Sequence, residues 1–285
     1  MSDLDDRRDY GVRSVQLALD ILEIIAMSGE ELGVTQIADQ LRLTKGSVYR
    51  HLQTLVERGY LTQNLQTTRY HIGPRSRMLA RLSVQPDLIH AAEPLLWDLR
   101  NTVGQTVVLS EMGARGAVVV KTVPGPSPIE IGVRPGSELA FHASAQGKIL
   151  LANAPESLQK LVLAGPLRRF TDHTITKRSA LEAELQLARK RGDVSAPEES
   201  ILGLNAIAAP IFGEDGSCVA AIAIVGSIQF IQLETNQRTS QKLTEAARQV
   251  SNALGHRPAK DSVDAPAQAA TIKQKIKRRA RRPYQ

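Results

Sequence analysis

The sequence predicts an α+β chain in two domains, and three observations predict it. Between Thr35 and Leu55 two short helical patterns stand about three residues apart, with a longer apolar helix before them and two β-runs behind. From about residue 88, runs of Val, Ile and Ala bounded by turn residues alternate with helical segments, as in an antiparallel sheet covered by helices. The 285 residues are enough for two cores. The boundaries are placed at 12–73 for the first domain, 74–87 for a linker helix, 88–256 for the second domain and 257–285 for a disordered basic tail.

The first helix is expected to start at Ser14 as N-cap, with Val15, Leu19, Leu22, Ile25 and Ala26 recurring at helical spacing on one apolar face. Gly29 and Gly33 mark its end and the loop after it. Thr35 is read as the cap of a second helix that turns Ile37, Ala38 and Leu41 inward. Thr44 caps a third, with Val48, Leu52, Leu55 and Val56 inward. Gly59 stops that helix at the position where a left-handed residue is least strained. Tyr60–Thr62 and Arg69–Ile72 then read as two strands joined by Gln63–Thr68. Helix, helix, turn, helix and a two-stranded wing is the order of a winged helix-turn-helix. Ala38 is small enough for the second and third helices to cross, and Val48 fills the angle between them.

With Val48, Leu52 and Leu55 facing the core at about 100° per residue, Gly46, Arg50, Gln53 and Glu57 face away, and Ser47, Tyr49 and Thr54 lie on the flanks. Hydrogen-bonding side chains with a few cations are what base edges and phosphates require. Arg50 carries a fork that grips guanine or phosphate. Thr44, Lys45 and Ser47 lie at a helix start, where free N–H groups favour phosphate. Double-stranded DNA is the expected partner. The candidate contacts are Thr35, Thr44, Lys45, Ser47, Tyr49, Arg50 and Gln53, with Thr67, Thr68 and Arg69 from the wing. The same pattern also fits a solvated helix face.

Charge adds little to that argument. The net charge is +7, but from Pro258 onward eight Lys and Arg face two Asp, so the tail holds +6 of it. The basic cluster Lys273, Lys275, Lys277, Arg278, Arg279, Arg281 and Arg282 either adds sequence-independent phosphate contacts or is a solvated end.

In the second domain, Pro74–Leu82 reads as a connecting helix and Leu88–Leu99 as a helix interrupted by Pro94. Strands are expected at Val107–Met112, Ala117–Val123, Ile129–Arg134, Ala206–Phe212 and Cys218–Val225, the last a buried central strand. Helices are expected at Ser144–Asn153, Ser157–Val162, Ser179–Arg191 and about Leu233–Leu254. Catalysis finds little support. Gly147-Lys148 lacks the first glycine and the hydroxyl residue of a phosphate loop, having His142 and Ile149 there. His142 and Ser144 lack a third member, the six histidines show no metal spacing, and the single Cys218 excludes an internal disulfide. No cofactor is expected. Without a signal segment or a run of about 18 apolar residues, the expected location is the cytoplasm.

Several stretches carry a family resemblance: Ser14-Val15 to Leu22, Ile37-Ala38 to Leu43, Lys45–Arg50 with Leu52–Leu55, Gly59-Tyr60-Leu61, and Tyr70–Gly73. Further on, Gly136 through His142–Lys148 to Leu151-Ala152, and Gly192, Glu198-Glu199 and Gly203–Phe212, continue it. Over Val12–Gly255 the chain resembles the IclR family of bacterial regulators, with a GAF-like effector-binding domain. Two departures stand out. Arg42 occupies the turn where the family has glycine, so it must accept an awkward backbone. His51 replaces an apolar residue and is read as a packing residue rather than a base contact.

The resemblance implies a ligand-responsive regulator, here read as a repressor, that works as a homodimer or tetramer. It places a small-molecule effector at the helix start Ser144, Ala145 and Gln146, whose free N–H groups suit a carboxylate. The family's polar pocket positions fall on Ala196, Ala206, Ala223 and Val225, all apolar here. Either the effector is an organic or aromatic acid with an apolar body, or these positions simply pack. A stand-alone small-molecule sensor or protein-interaction module is the competing reading.

Overall fold

The computed structural model describes residues 12–82, 88–128, 131–231 and 237–257, with side chains of 80–82 left aside. It separates between residues 87 and 88 into two compact units. The basic tail cluster, residues 83–87 and the beginning of the expected 233–254 helix lie outside the described residues.

The first unit runs α1 (Arg13–Ser28), α2 (Val34–Leu41), α3 (Lys45–Glu57), β1 (Leu61–Gln63), β2 (Tyr70–Ile72) and α4 (Pro74–Leu82). β1 and β2 pair antiparallel, Leu61 opposite Ile72, and Leu32 forms a bridge to Tyr70 that adds a third edge. Ile21, Ile25, Leu32, Ile37, Ala38, Val48, Leu52, Leu61 and Tyr70 form the core. Ala38 and Val48 are both buried, in the roles their spacing assigns.

Three expectations fail in detail. The N-cap of α1 is Val12, and Ser14 lies within the helix. The cap of α2 is Gly33, whose N–H donates to Gln36 Oε1 at 3.0 Å, so Thr35 is an exposed residue of the first turn. The buried face of α1 is rotated from the expected one: Ile21 and Ile25 are in the core, whereas Val15 and Leu19 are more than half exposed. Apolar residues surround most of this helix, so periodicity fits two stripes, and only packing against α3 and β2 selects one.

The second unit holds α5 (Leu88–Val103), β3 (Thr106–Met112), β4 (Gly116–Val123), β5 (Glu138–Ala140), α6 (Ala145–Ala152), α7 (Glu156–Ala164), α8 (Arg178–Arg191), β6 (Val194–Ser195), β7 (Leu204–Phe212), β8 (Cys218–Ser227) and α9 (Gln237–Ala253). The sheet order is β5-β4-β3-β8-β7-β6, antiparallel throughout. β8 is central and its residues 220–226 are buried, as its unbroken apolar run requires. Alternate residues feed two cores. Val107, Leu109, Ile222 and Ile224 pack under α5 and α9, and Val108, Ala221, Ala223 and Ala208 pack under α6 and α8. The fold is therefore an α+β sheet domain covered on both faces.

The expected strand at Ile129–Arg134 is not formed at 131–134. Their carbonyls accept from threonine hydroxyls instead: Thr106 Oγ1 donates to Ile131 O and Thr122 Oγ1 to Val133 O, each at 2.5 Å. The edge strand is β5, three residues past Pro135.

Candidate DNA-binding face and effector cavity

Thr44 caps α3, its Oγ1 accepting from Ser47 N at 3.3 Å. No acid occupies the first turn of α3, which leaves that end of the helix open to an anion. Lys45, Tyr49, Arg50 and Gln53 are exposed and Ser47 half-buried, with Val48 and Leu52 in the core behind them. Thr54 Oγ1 donates back to Arg50 O at 3.1 Å. His51 is half-buried, and its Nδ1–H donates to Ser47 O at 2.8 Å, which turns the ring along the helix. Arg42 adopts φ 54°, the left-handed conformation expected where glycine is usual, and its N–H closes the end of α2 on Asp39 O.

The wing is more tightly built than its sequence suggests. Asn64 Oδ1 accepts from Gln66 N at 3.0 Å and Thr67 N at 3.3 Å. Thr67 Oγ1 donates to Glu31 Oε2 at 2.9 Å, and Thr68 Oγ1 to Thr67 O at 2.7 Å. Both hydroxyls thus have partners inside the protein. Arg69 is exposed, its Nη1 3.4 Å from Glu31 O. Leu65 is 93% exposed at the tip.

Beside this face lies an apolar groove of about 720 Å³ within the first unit. Val15, Leu19 and Leu22 of α1, Leu55 of α3, Tyr60, and Leu79 of α4 form its apolar lining, and Arg50, His51 and Thr54 of α3 border it. It takes up the stripe of α1 that the core leaves out.

In the second unit, Ser144 caps α6, with Oγ accepting from Gly147 N at 3.0 Å and donating to Ala140 O at 2.8 Å. Ala145 and Gln146 follow it, buried. A cavity of about 100 Å³ opens here, lined by Ser144, Ala145, Gln146, Ala196, Ala206 and Val225 together with Val133, Leu139, Ser200, Ile201 and Asn205. Six of the seven sequence-derived effector residues thus share one cavity. Ala223 does not reach its wall; it is buried in the sheet opposite Val108 and Ala208.

Sequence reasoning passed over the loop that carries Ser200 and Ile201. Lys148 of α6 is fully buried, with Nζ 2.5 Å from Glu199 Oε1 and 3.6 Å from Glu184 Oε1. Burial lifts the Glu199 carboxyl above its ordinary range, against the pull of Lys148. Ser200 Oγ donates to Ala143 O, and Thr174 Oγ1 to Glu199 O at 2.7 Å. The ion pair and these bonds tie the loop wall of the cavity to its helix wall. The available signal was Lys148 and Glu199 themselves, two charges in otherwise apolar surroundings.

The catalytic alternatives find internal roles. His142 Nε2 donates to Arg168 O at 2.8 Å while Ser144 Oγ faces Ala140 O, so the two form no nucleophile–base pair. Burial pushes the Cys218 thiol up to about 12, far from a reactive thiolate. Among the described residues, no helix is long and apolar enough to cross a membrane.

Two family models match the chain: the IclR helix-turn-helix domain over residues 14–65 and the bacterial transcriptional regulator IclR C-terminal domain over 81–252. The HTH-type transcriptional regulator BhcR of Paracoccus denitrificans is 35% identical over 88% of this chain and 90% of its own length. The HTH-type transcriptional repressor AllR of Escherichia coli is 29% identical over 86% and 91%. An IclR homolog from Microbacterium hydrocarbonoxydans, solved in complex with 4-hydroxybenzoate, shares the fold with a TM-score of 0.68 at 24% identity, covering 85% of this chain and 98% of that one. These relatives are regulators rather than enzymes, and both halves of the match fall in family order. The chain belongs to the IclR family, as a DNA-binding transcriptional regulator with a C-terminal effector domain.

Proposed function

We propose that this regulator is a repressor that holds its operator through α3 and the wing and responds to an organic acid with an apolar or aromatic body. The observation that carries the DNA half is the exposed face of α3, where Lys45, Tyr49, Arg50 and Gln53 stand together over a capped, acid-free helix start. Arg50 supplies the strongest single contact, to guanine or phosphate. Repression follows the sign of the relative AllR.

The effector half is supported by the cavity. The N–H groups of Ala145 and Gln146 at the start of α6 suit a carboxylate. Ala196, Ala206 and Val225 in the wall offer an apolar body contact but no hydroxyl or carboxylate. An apolar or aromatic body packs on these side chains, while Ser144, Gln146, Ser200 and Asn205 keep polar groups in the same wall; an IclR homolog of the same fold is solved with 4-hydroxybenzoate.

A homodimer supplies two DNA-binding units for two half-sites about one helical turn apart. The α1–α4 groove supports this reading, because Val15 at 55%, Leu19 at 51% and Leu79 at 52% exposure leave an apolar strip that a second copy covers. The effector acts by favouring one placement of the paired units over another, which requires different affinities for the two states.

The test uses DNA upstream of the protein's own gene. Arg50→Ala is expected to weaken binding about ten- to hundredfold with unchanged thermal melting; undiminished binding overturns the DNA-reading role in favour of a sensor or interaction module. Calorimetric titration with aromatic and short aliphatic acids tests the effector class. 4-Hydroxybenzoate is expected to bind and glyoxylate not to; the reverse order overturns the assignment.

A further inference from the structure

Glu31, in the loop between α1 and α2, is an acid that the core does not need. Glu31 accepts from Asn64 Nδ2 with both oxygens, at 3.0 and 3.1 Å, and from Thr67 Oγ1 at 2.9 Å. His71 Nδ1 lies 3.5 Å from Oε1, and Arg69 Nη1 donates to the Glu31 carbonyl at 3.4 Å. Next to it, Leu32 and Tyr70 exchange backbone bonds of 2.8 and 3.1 Å. Four consecutive features of the wing, at Asn64, Thr67, Arg69 and His71, therefore meet a single residue 33 or more positions earlier.

Glu31 adds side-chain bonds to a turn that its own backbone already closes. The turn contains Thr68 at φ 56°, a conformation that a β-branched residue resists. The turn is closed by Asn64 N to Arg69 O and Thr68 N to Asn64 O, each at 2.8 Å, and by Gln63 Nε2 to Thr68 O at 3.1 Å; beyond these it depends on the Asn64 side chain. Asn64 can hold Gln66 N and Thr67 N with its carbonyl oxygen only while its amide is turned toward Glu31. The carboxylate thus fixes the side chain that fixes the turn.

The position is electrostatically odd for a DNA-binding wing. Phosphates repel a carboxylate, so an acid here lowers affinity for every duplex unless it does something else. Bonds from Asn64 and Thr67 hold the Glu31 carboxyl below its ordinary range, so it is ionised under working conditions. Charge and geometry therefore act in opposite directions, and they separate by the kind of DNA. Repulsion applies to any sequence, whereas a preset wing helps only where the wing fits.

We propose that Glu31 is the positioning residue of the wing, which holds the Asn64–Arg69 turn in its DNA-binding shape and contributes sequence discrimination rather than general affinity. The proposal rests on the reading of α3 and the wing as the DNA-binding face.

The test compares full-length wild type, Glu31→Ala, Glu31→Gln and Arg50→Ala on two duplexes, the DNA upstream of the protein's own gene and a scrambled duplex of equal length and composition. Glu31→Ala is expected to lose affinity for the upstream duplex on the order of tenfold, as lost charged hydrogen bonds do, while binding to the scrambled duplex stays equal or strengthens. Glu31→Gln keeps an acceptor for Asn64 and removes the charge, so it recovers part of the discrimination. Hydroxyl-radical footprints of Glu31→Ala should lose protection beside the half-site and keep it in the α3 groove. Equal losses on both duplexes, or unchanged discrimination beside a defective Arg50→Ala, overturn the proposal and leave the DNA reading intact. If Arg50→Ala is as active as wild type on both duplexes, the DNA reading fails and the proposal with it.

Discussion

The two units handle charge in opposite ways. In the first, the core residues are apolar apart from the phenol of Tyr70, and the exposed charged side chains Lys45 and Arg50 lie on α3. In the second, a lysine is fully buried between two glutamates, one turn beyond the helix start that opens on the cavity. A surface that reads DNA can leave its charges in water until phosphate arrives. The cavity of the second unit is a gap between elements, and the Lys148–Glu199 pair with the Ser200–Ala143 bond ties two of its walls together. The difference predicts where each unit breaks.

The largest effect is expected at Lys148. Replacing it with Met leaves Glu199 buried beside Glu184 without its cation, and an orphaned buried charge costs about 3–5 kcal/mol. The double variant Lys148→Met, Glu199→Leu removes both charges and should recover most of that loss. Calorimetric melting of the two variants decides it. If the double variant restores stability but 4-hydroxybenzoate binding stays lost, the pair shapes the cavity rather than merely supporting the fold. If Lys148→Met melts as wild type does, the contrast between the units collapses.

Legibility follows the same division. The helix-turn-helix could be read because its determinants are local: Ala38 and Val48 lie ten positions apart, Thr44 caps α3 from the adjacent position, and Arg42 shows its φ of 54° by standing where glycine is usual. What differs in this unit is the start of α1 and of α2, one or two residues earlier than the hydroxyl residues Ser14 and Thr35 suggest, and the choice between two stripes on α1, which only contacts with other elements settle. In the second unit most strands were legible, β8 best of all, because each carries its own apolar run. At 131–134 no strand forms, and threonine hydroxyls of the neighbouring strands hold the carbonyls of Ile131 and Val133 instead. The Lys148–Glu199 contact spans 51 positions and the Ser200–Ala143 bond 57, so neither is visible in a local window. The helix start and the sheet positions of the cavity are legible only through the family resemblance, and Ala223, which the same resemblance implies, shares the buried face of the sheet but lies outside the cavity wall.

Smaller effects are expected at the two left-handed turns of the first unit. Thr68→Gly relieves a β-branched residue at φ 56°, a conformation that costs L-residues about 1–2 kcal/mol. It also frees the unfolded chain, which takes back about 0.4–1 kcal/mol. It further gives up the 2.7 Å bond from Thr68 Oγ1 to Thr67 O. The net expectation is a gain of up to about 1 kcal/mol, seen as a small rise in melting temperature. A fall would mean that the Glu31-centred bonds have already absorbed the strain.

Arg42→Gly should move stability least. Its φ of 54° carries a similar penalty without β-branching, and its exposed side chain gives up no core contact. The relief and the added unfolded-state freedom nearly cancel, leaving a gain of a few tenths of a kcal/mol. The variant also removes a cation from the turn between α2 and α3. Stability and DNA affinity are therefore expected to move in opposite directions, the first slightly up and the second slightly down and more so at low salt. If affinity on the protein's own upstream DNA is unchanged at every salt concentration, Arg42 faces no phosphate, and the chain tolerates an arginine at a glycine position without using its charge. A salt-dependent loss would instead explain why an unfavourable backbone is retained at that turn.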